Sequence, residues 1–299
     1  MERIKFSNQV DVSRIVHGVW RLSEWNMSKQ DVIGLVEHCL ALGIDTFDHA
    51  DIYGNYSCEE LFGNALADQP ALNNRLKIIT KCGIKLLSDK KPEHYIKHYD
   101  TGYDHIIASA ENSLRYLKRD QIDVLLIHRP DPFMNPYETA RAFSDLRDSG
   151  KVKEFGVSNF MPSQFSMLQS YLDFFLVTNQ VELSPVTLDN FENGVIDQCL
   201  EQRFSPMAWS PLGGGSIFTA QTHRILTIKN VLHKIADQLN CSIDQLMYAW
   251  LMAHPSKIIP IVGTGKLERI TKAAEAMNIQ LSRQQWFEIW VAAQGVSVP

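Results

Sequence analysis

The sequence predicts an α/β protein of the (β/α)8, or TIM, barrel class. Eight short apolar runs, each bounded by turn or polar residues, alternate along the chain with segments of helical periodicity. This alternation favours a parallel sheet, and closure at eight strands gives a barrel of ordinary length, with a doubly wound sheet as the competing fold. Because no linker, composition shift or repeat marks a boundary, we expect a single domain over residues 1–299.

Local signals bound each predicted element. The predicted strands cover residues 14–22, 46–48, 76–81, 124–128, 154–158, 176–181, 205–210 and 258–262. The first helix begins after Ser28, with Asp31 as its capping-box partner, and stops at Gly43. Further helices are predicted over residues 104–118, 137–150 and 282–293. The last carries Trp286 and Trp290 on an apolar stripe, which we expect to pack on the barrel wall.

Composition and charge argue against several classes of function. A net charge of -5 and a pI near 6.1, without a Lys/Arg-rich block, argue against a nucleic-acid partner. No apolar stretch approaches the ~18 residues of a membrane span, and residues 1–10 lack a leader pattern, so we expect a cytoplasmic protein. The five cysteines are odd in number and scattered without a CxxC pair, which favours reduced thiols and no metal site.

Four polar residues stand at or just past the ends of predicted strands. They are Asp48, Tyr53, Lys81 and His128. Each alone has a structural explanation, as a cap, a packed loop residue, a snorkelling lysine or a core histidine. In a barrel, however, the carboxyl ends of the strands face one side, so the four are expected to meet. A Lys ammonium beside a phenol is expected to lower the tyrosine pKa, while a carboxylate holds the lysine in place.

Seven segments resemble the aldo-keto reductase family in order and spacing. They are GIDTFDHADIYG (43–54), ITKC (79–82), LLIH (125–128), GKVKEFGVSNF (150–160), NQ (179–180), WSPLG (209–213) and PIVGTGKLER (260–269). The resemblance covers nearly the whole chain and is closest to bacterial-type members with a short C-terminus. It implies an NADPH-dependent carbonyl reductase in which Asp48, Tyr53, Lys81 and His128 form the catalytic tetrad. Tyr53 would protonate the carbonyl oxygen, while His128 would hydrogen-bond it.

The resemblance also implies a cofactor site, since the chain has no GxGxxG fingerprint. Ser158, Asn159 and Gln180 would bind the nicotinamide carboxamide, and Trp209 would stack on the ring. The segment Ser210, Pro211, Leu212 and Gly213 would line the pyrophosphate, and the turn Gly263, Thr264, Gly265, Lys266 with Arg269 would take the adenosine 2'-phosphate. NADPH is therefore expected over NADH, although Lys272 and Ala273 replace the Glu and Asn that often hold adenine.

The substrate is a small carbonyl compound that the sequence does not identify. Trp20 and Arg129 are the expected pocket residues, the first aromatic and the second suited to a carboxylate or phosphate. His49 stands where the family usually has a small residue, and its side chain is expected to fill the barrel wall.

Two rival functions remain open from the sequence. Lys81 could form a Schiff base in a lyase, or the chain could be a non-catalytic, NADPH-binding regulatory subunit. The oligomeric state cannot be read from the sequence, and a monomer is compatible with it.

Overall fold

A computed structural model describes residues 1–299 and contains twelve strands and fourteen α-helices. The strands are β1 (Arg3–Lys5), β2 (Asp11–Ser13), β3 (Val16–Gly18), β4 (Thr46–Asp48), β5 (Lys77–Cys82), β6 (Ile84–Lys85), β7 (His98–Tyr99), β8 (Ile122–Ile127), β9 (Val152–Ser158), β10 (Asn179–Glu182), β11 (Met207–Trp209) and β12 (Ile259–Val262). The helices are α1 (Lys29–Ala41), α2 (Tyr53–Tyr56), α3 (Cys58–Leu66), α4 (Pro70–Asn73), α5 (Tyr103–Leu117), α6 (Pro136–Asp148), α7 (Pro162–Gln169), α8 (Asp189–Glu192), α9 (Val195–Gln202), α10 (Ser216–Thr219), α11 (His223–Leu239), α12 (Ile243–Met252), α13 (Leu267–Glu275) and α14 (Arg283–Gln294).

Eight strands form a closed barrel in the order β3, β4, β5, β8, β9, β10, β11 and β12. The strands of this barrel pair in parallel, as between β4 and β5 and between β8 and β9. Barrel strands that follow one another along the chain are also neighbours in the barrel, and a helix or a longer connection joins most of them. The predicted (β/α)8 class is confirmed, and the doubly wound alternative is excluded.

The chain divides into two compact units, each described separately below. The first comprises Met1–Asn179 with Gly263–Leu267, and the second comprises Gln180–Val262 with Glu268–Pro299. The expectation of one domain over residues 1–299 stays a prediction.

The first unit shows where local sequence signals succeed. Ser28 accepts a hydrogen bond from the Asp31 backbone N–H and its own N–H bonds the Asp31 carboxylate at 2.9 Å, so the predicted capping box is confirmed. Gly43 has a φ of +82°, a conformation that suits glycine where α1 stops. The aromatic core includes Phe143 stacked on Phe155 at 4.3 Å between ring centres.

Some strand boundaries differ from the prediction. The strand predicted over 14–22 is reduced to β3, because Leu22 lies in a 3-10 turn and Val19 already follows the strand. The sequence analysis also missed two short hairpins, β1 with β2 and β6 with β7. Ion pairs fasten the first hairpin, since Arg3 binds Asp45 at 2.8 Å and Lys77 binds Asp11.

The second unit packs its last helix through stacked indoles. Trp286 of α14 stacks on Trp250 of α12 at 4.9 Å, and each indole N–H donates to the backbone oxygen of the other residue at 3.0 Å. Trp290 stacks on Trp286 in turn at 5.6 Å. The stripe was predicted to pack on the barrel wall, and the contacts that these indoles make are with α12 of the same unit. No helix of the structure has the length and apolar character that crossing a membrane requires.

Candidate active site

The four predicted site residues all lie in the first unit, around the ends of neighbouring strands. Asp48 is the last residue of β4, Lys81 lies one residue before the end of β5, and His128 directly follows β8. Tyr53 lies in the connection after β4, at the start of the irregular turn α2. Because β4, β5 and β8 are consecutive parallel neighbours, their carboxyl ends bring these residues together.

Backbone contacts hold the segment that carries Tyr53 against β5. The Asp51 N–H donates to the Lys81 carbonyl at 3.0 Å, and the Tyr53 N–H donates to the Ala50 carbonyl at 3.1 Å. The chain then turns at Gly54, whose φ of +59° lies in the left-handed region. A β-carbon there would also meet side chains of the neighbouring turns at 2.6 Å, so glycine satisfies both the conformation and the close packing.

Lys81 is the centre of the cluster and has no exposed surface. Its ammonium donates to both carboxylate oxygens of Asp48 at 2.8 Å, to the His49 carbonyl at 2.7 Å and to the Tyr53 phenol oxygen at 2.9 Å. All three N–H donors of the Lys81 ammonium are therefore engaged in hydrogen bonds. Because Tyr53 accepts from Lys81, its own hydroxyl proton is left for another acceptor.

The electrostatics of Tyr53 differ from the prediction. Burial raises the pKa of the Tyr53 phenol well above its ordinary value, and the Asp48 carboxylate raises it further. The expectation that Lys81 gives this phenol a lowered pKa is therefore wrong for this structure, because burial and the Asp48 charge outweigh the opposing charge of Arg129. Burial also lowers the pKa of Lys81, an effect that Asp48 opposes. The phenol consequently stays protonated at neutral pH.

His128 is a neutral imidazole in this setting. Burial lowers its pKa well below the ordinary value, and the charges of Lys81 and Arg129 lower it further. Its ring lies edge-on to the Tyr53 ring at 5.8 Å between ring centres. A neutral imidazole retains one N–H that can donate to a ligand oxygen.

His49 fills space in the barrel wall. Its ring packs edge-on against Phe62 at 4.7 Å, and neither ring nitrogen has a hydrogen-bond partner. Burial lowers its pKa to about 3, so the ring is neutral. Its contribution to the cluster is the backbone oxygen that Lys81 binds.

The predicted cofactor residues of the first unit lie at two strand ends. Asn159, with a φ of 62°, follows Ser158 at the end of β9. Its amide donates to the Ser158 hydroxyl at 2.8 Å and to the His128 carbonyl at 3.3 Å, which links this segment to the tetrad. After β12, the Thr264 hydroxyl accepts from the Lys266 N–H at 3.2 Å and closes the turn.

Trp25, in the loop after β3, packs on that turn. A β-carbon at Gly265 would lie 2.9 Å from the Trp25 indole, so the indole rests directly on the glycine backbone. Its residue type and loop position alone do not distinguish this contact from a surface position.

Except for Gly263, the other predicted cofactor residues belong to the second unit. Gln180 lies on β10 and Trp209 ends β11. Ser210 and Gly213, with φ values of 49° and 59°, form a turn in which the Gly213 N–H donates to the Ser210 carbonyl at 2.8 Å. The same turn contains Pro211 and Leu212, and Arg269 lies on α13. Gly263 belongs instead to the first unit, where it begins the turn after β12.

The two predicted pocket residues differ in exposure. Trp20 is 57% exposed in the loop after β3, where the Arg21 guanidinium lies 5.1 Å from its ring. Arg129 is half-buried beside His128. Two carboxyls, on the half-buried Asp51 and the buried Glu59, lie next to the tetrad and were missed. Asp51 stands inside the DHADIYG segment, but Glu59 is one of two adjacent glutamates in a helix and gave no signal.

Comparisons with known proteins agree with this geometry. The sequence model of the Aldo/keto reductase family matches residues 14–292. The chain is 50% identical to the oxidoreductase YcsN of Bacillus subtilis and 44% identical to the 6-dehydroglucose reductase of Agrobacterium fabrum, with full coverage of both chains in each case. The thermostable aldo-keto reductase Tm1743, solved with the inhibitor epalrestat, superposes with a TM-score of 0.79 at 25% identity, covering 98% of this chain and 99% of that one. The chain therefore belongs to the aldo/keto reductase family of oxidoreductases.

Proposed function

We propose that this protein reduces an aldehyde or ketone to an alcohol with NADPH, and that Tyr53 is the general acid. The observation that carries the proposal is the hydrogen bond from Lys81 to the Tyr53 oxygen. That bond orients the phenol so that its proton is available to a carbonyl oxygen. NADPH, when bound, supplies the hydride that the carbonyl carbon accepts.

The roles of the four residues follow from their contacts. As negative charge grows on the carbonyl oxygen, Tyr53 donates its proton, and the ammonium of Lys81 stabilises the phenolate that is left. Asp48 holds that ammonium with both oxygens. The neutral His128 donates its single N–H to the carbonyl oxygen and orients the substrate. Because the phenol stays protonated at neutral pH, the proton is present when the reduction needs it.

The same contacts argue against a Schiff base at Lys81. Nucleophilic attack requires a neutral amine with a free lone pair, whereas this amine is fully buried and spends its donors on Asp48, His49 and Tyr53. The complete tetrad likewise supports an enzyme rather than a regulatory subunit.

The Agrobacterium relative suggests a first substrate. That relative is a 6-dehydroglucose reductase, so it acts on a sugar whose C6 is an aldehyde, and it matches this chain over its full length. We propose a polyhydroxylated aldehyde of this type as substrate, in the cytoplasm.

The test is a spectrophotometric assay of NADPH consumption with 6-dehydroglucose and a panel of simple aldehydes and ketones, repeated with NADH. Carbonyl-dependent oxidation of NADPH, with NADH poorer, supports the proposal. Lys266→Ala should then weaken NADPH more than NADH, because an ammonium favours the 2'-phosphate that only NADPH carries. No consumption of either cofactor with any carbonyl would refute the function.

A further inference from the structure

One short loop of the first unit contacts both the turn after β4 and the turn after β12. It comprises residues 19–28, joins β3 to α1, and is called the β3–α1 loop. Two glycines approach it closely. A β-carbon at Gly54 would lie 2.6 Å from the Ser23 hydroxyl, and one at Gly265 would lie 2.9 Å from the Trp25 indole. The loop therefore packs against the backbone of both turns.

The half of the β3–α1 loop nearest β3 is fastened to its neighbours. The Val19 N–H donates to the Asp48 carbonyl at 3.1 Å, and the Cys58 thiol donates to the Trp20 carbonyl at 3.6 Å. Leu22, which begins the 3-10 turn of this loop, is buried. Contacts to β4 and α3 therefore fix this half of the loop.

The half nearest α1 presents an indole to the turn after β12. The Trp25 N–H donates to the Leu22 carbonyl at 3.3 Å, and Ser28 caps α1 three residues later. A β-carbon at Gly265 would meet the Met27 methyl at 2.8 Å as well as the indole. Because the loop is fastened on both sides of Trp25, the indole is a fixed surface on which the glycine backbone rests.

The turn of residues 263–266 needs such a support. Two of its four residues are glycine, the residue with the greatest backbone freedom. The Thr264 hydroxyl accepts from the Lys266 N–H at 3.2 Å, and the Lys266 side chain is exposed, so its ammonium is accessible to a ligand. A ligand that binds a loose turn must also order it, which weakens binding, whereas a turn that is already ordered avoids this loss.

We propose that Trp25 is a positioning residue for the cofactor. It holds the turn of residues 263–266 in the conformation in which Lys266 binds the 2'-phosphate of NADPH, and it thereby sets the preference for NADPH over NADH. The inference rests on the proposed use of NADPH. NADH carries a hydroxyl where NADPH carries this phosphate, so loss of the support weakens NADPH binding and leaves NADH binding almost unchanged.

Calorimetric titration of Trp25→Ala with NADPH and with NADH tests the proposal without a carbonyl substrate. We expect the NADPH dissociation constant to rise about tenfold and the NADH dissociation constant to rise less than about twofold. Trp25→Phe keeps an aromatic ring beside Gly265 and should recover most of the NADPH affinity. Trp290→Ala removes an indole that packs on Trp286 in the second unit, and this control should leave both constants unchanged. An equal loss for both cofactors, or no loss, overturns the proposal.

A double variant shows whether Trp25 acts through Lys266. Lys266→Ala alone removes the ammonium that the turn positions. In that background, Trp25→Ala should weaken NADPH binding by less than about twofold, because no charge is left to position. If the two losses instead multiply, Trp25 acts independently of Lys266 and the proposal is overturned.

Gly265→Ala repeats the test from the side of the turn if Trp25→Ala does not fold, as judged by circular dichroism. Its added β-carbon separates the turn from the indole, so a selective loss of NADPH affinity is again expected and an equal loss overturns the proposal. A wild type that binds NADPH no better than NADH refutes the inference and the proposed cofactor together. If the selective loss is found but no carbonyl is reduced, the proposed reduction fails and the role of Trp25 stands.

Discussion

Replacement of Lys81 by methionine tests the buried ion pair at the centre of the site. Methionine has a similar length and flexibility, so the change removes the charge and leaves the space largely filled. The Asp48 carboxylate would lose the ammonium that binds both of its oxygens at 2.8 Å, and the His49 carbonyl would lose its donor at 2.7 Å.

The expected magnitude comes from burial. Lys81 is 0% exposed and the Asp48 side chain is 4% exposed, so water cannot replace the missing partner. Removing one member of such a buried pair costs about 3–5 kcal/mol, because a charge remains in a low-dielectric setting. The second change Asp48→Asn removes that charge, so the double variant should recover about 1–3 kcal/mol relative to Lys81→Met.

Urea unfolding, followed by circular dichroism at pH 7 without cofactor, measures both effects. Unfolding is checked for a single transition, since independent unfolding of the two compact units would give two. A loss of less than about 1 kcal/mol in Lys81→Met, or a double variant less stable than Lys81→Met, would refute a buried Asp48–Lys81 ion pair.

Three further predictions concern packing, pH and cofactor binding. Gly63→Ala would place a β-carbon against the backbone of α5 and should lower the free energy of unfolding in urea by about 1–3 kcal/mol. Gly34→Ala is the control, since a β-carbon there would meet no atom within 4 Å, and it should be neutral or stabilising. Burial lowers the pKa of His17 to about 3 in the folded chain, whereas the unfolded chain binds this proton near pH 6.5, so stability falls as pH drops below about 6.5. Between pH 8 and pH 5, His17→Leu should therefore lose about 2 kcal/mol less of its free energy of unfolding than wild type does. An equal loss in both proteins would contradict this. Gly265→Ala should displace Trp25 and weaken NADPH binding, measured by calorimetry, without lowering kcat at saturating NADPH; unchanged affinity would show that the turn does not hold the cofactor.

The barrel was predictable because its signals are local. Short apolar runs and caps such as Ser28 with Asp31 depend only on neighbouring residues, and closure at eight strands follows from counting them. The strand ends were less certain, since β3 stops at Gly18 while its apolar run continues into a turn. The hairpin of β6 and β7 was missed because two-residue strands carry almost no periodic pattern.

The tetrad was predictable in position and not in electrostatics. Strand ends place Asp48, Lys81 and His128 together, so their meeting follows from the fold. The pKa of Tyr53 depends on burial, which is a property of the folded chain that residue types alone do not give. Glu59 was missed for the same reason, since only packing of α3 on β5 and α5 distinguishes it from the exposed Glu60 beside it.

The most direct test of the central claim is the effect of Tyr53→Phe on NADPH-dependent reduction of 6-dehydroglucose, or of the best carbonyl found in the panel. The variant removes the hydroxyl that Lys81 binds and keeps the ring. We expect the NADPH dissociation constant to change by less than about twofold, while kcat falls by about 100-fold or more. Near-normal kcat in Tyr53→Phe would contradict the assignment of Tyr53 as the general acid.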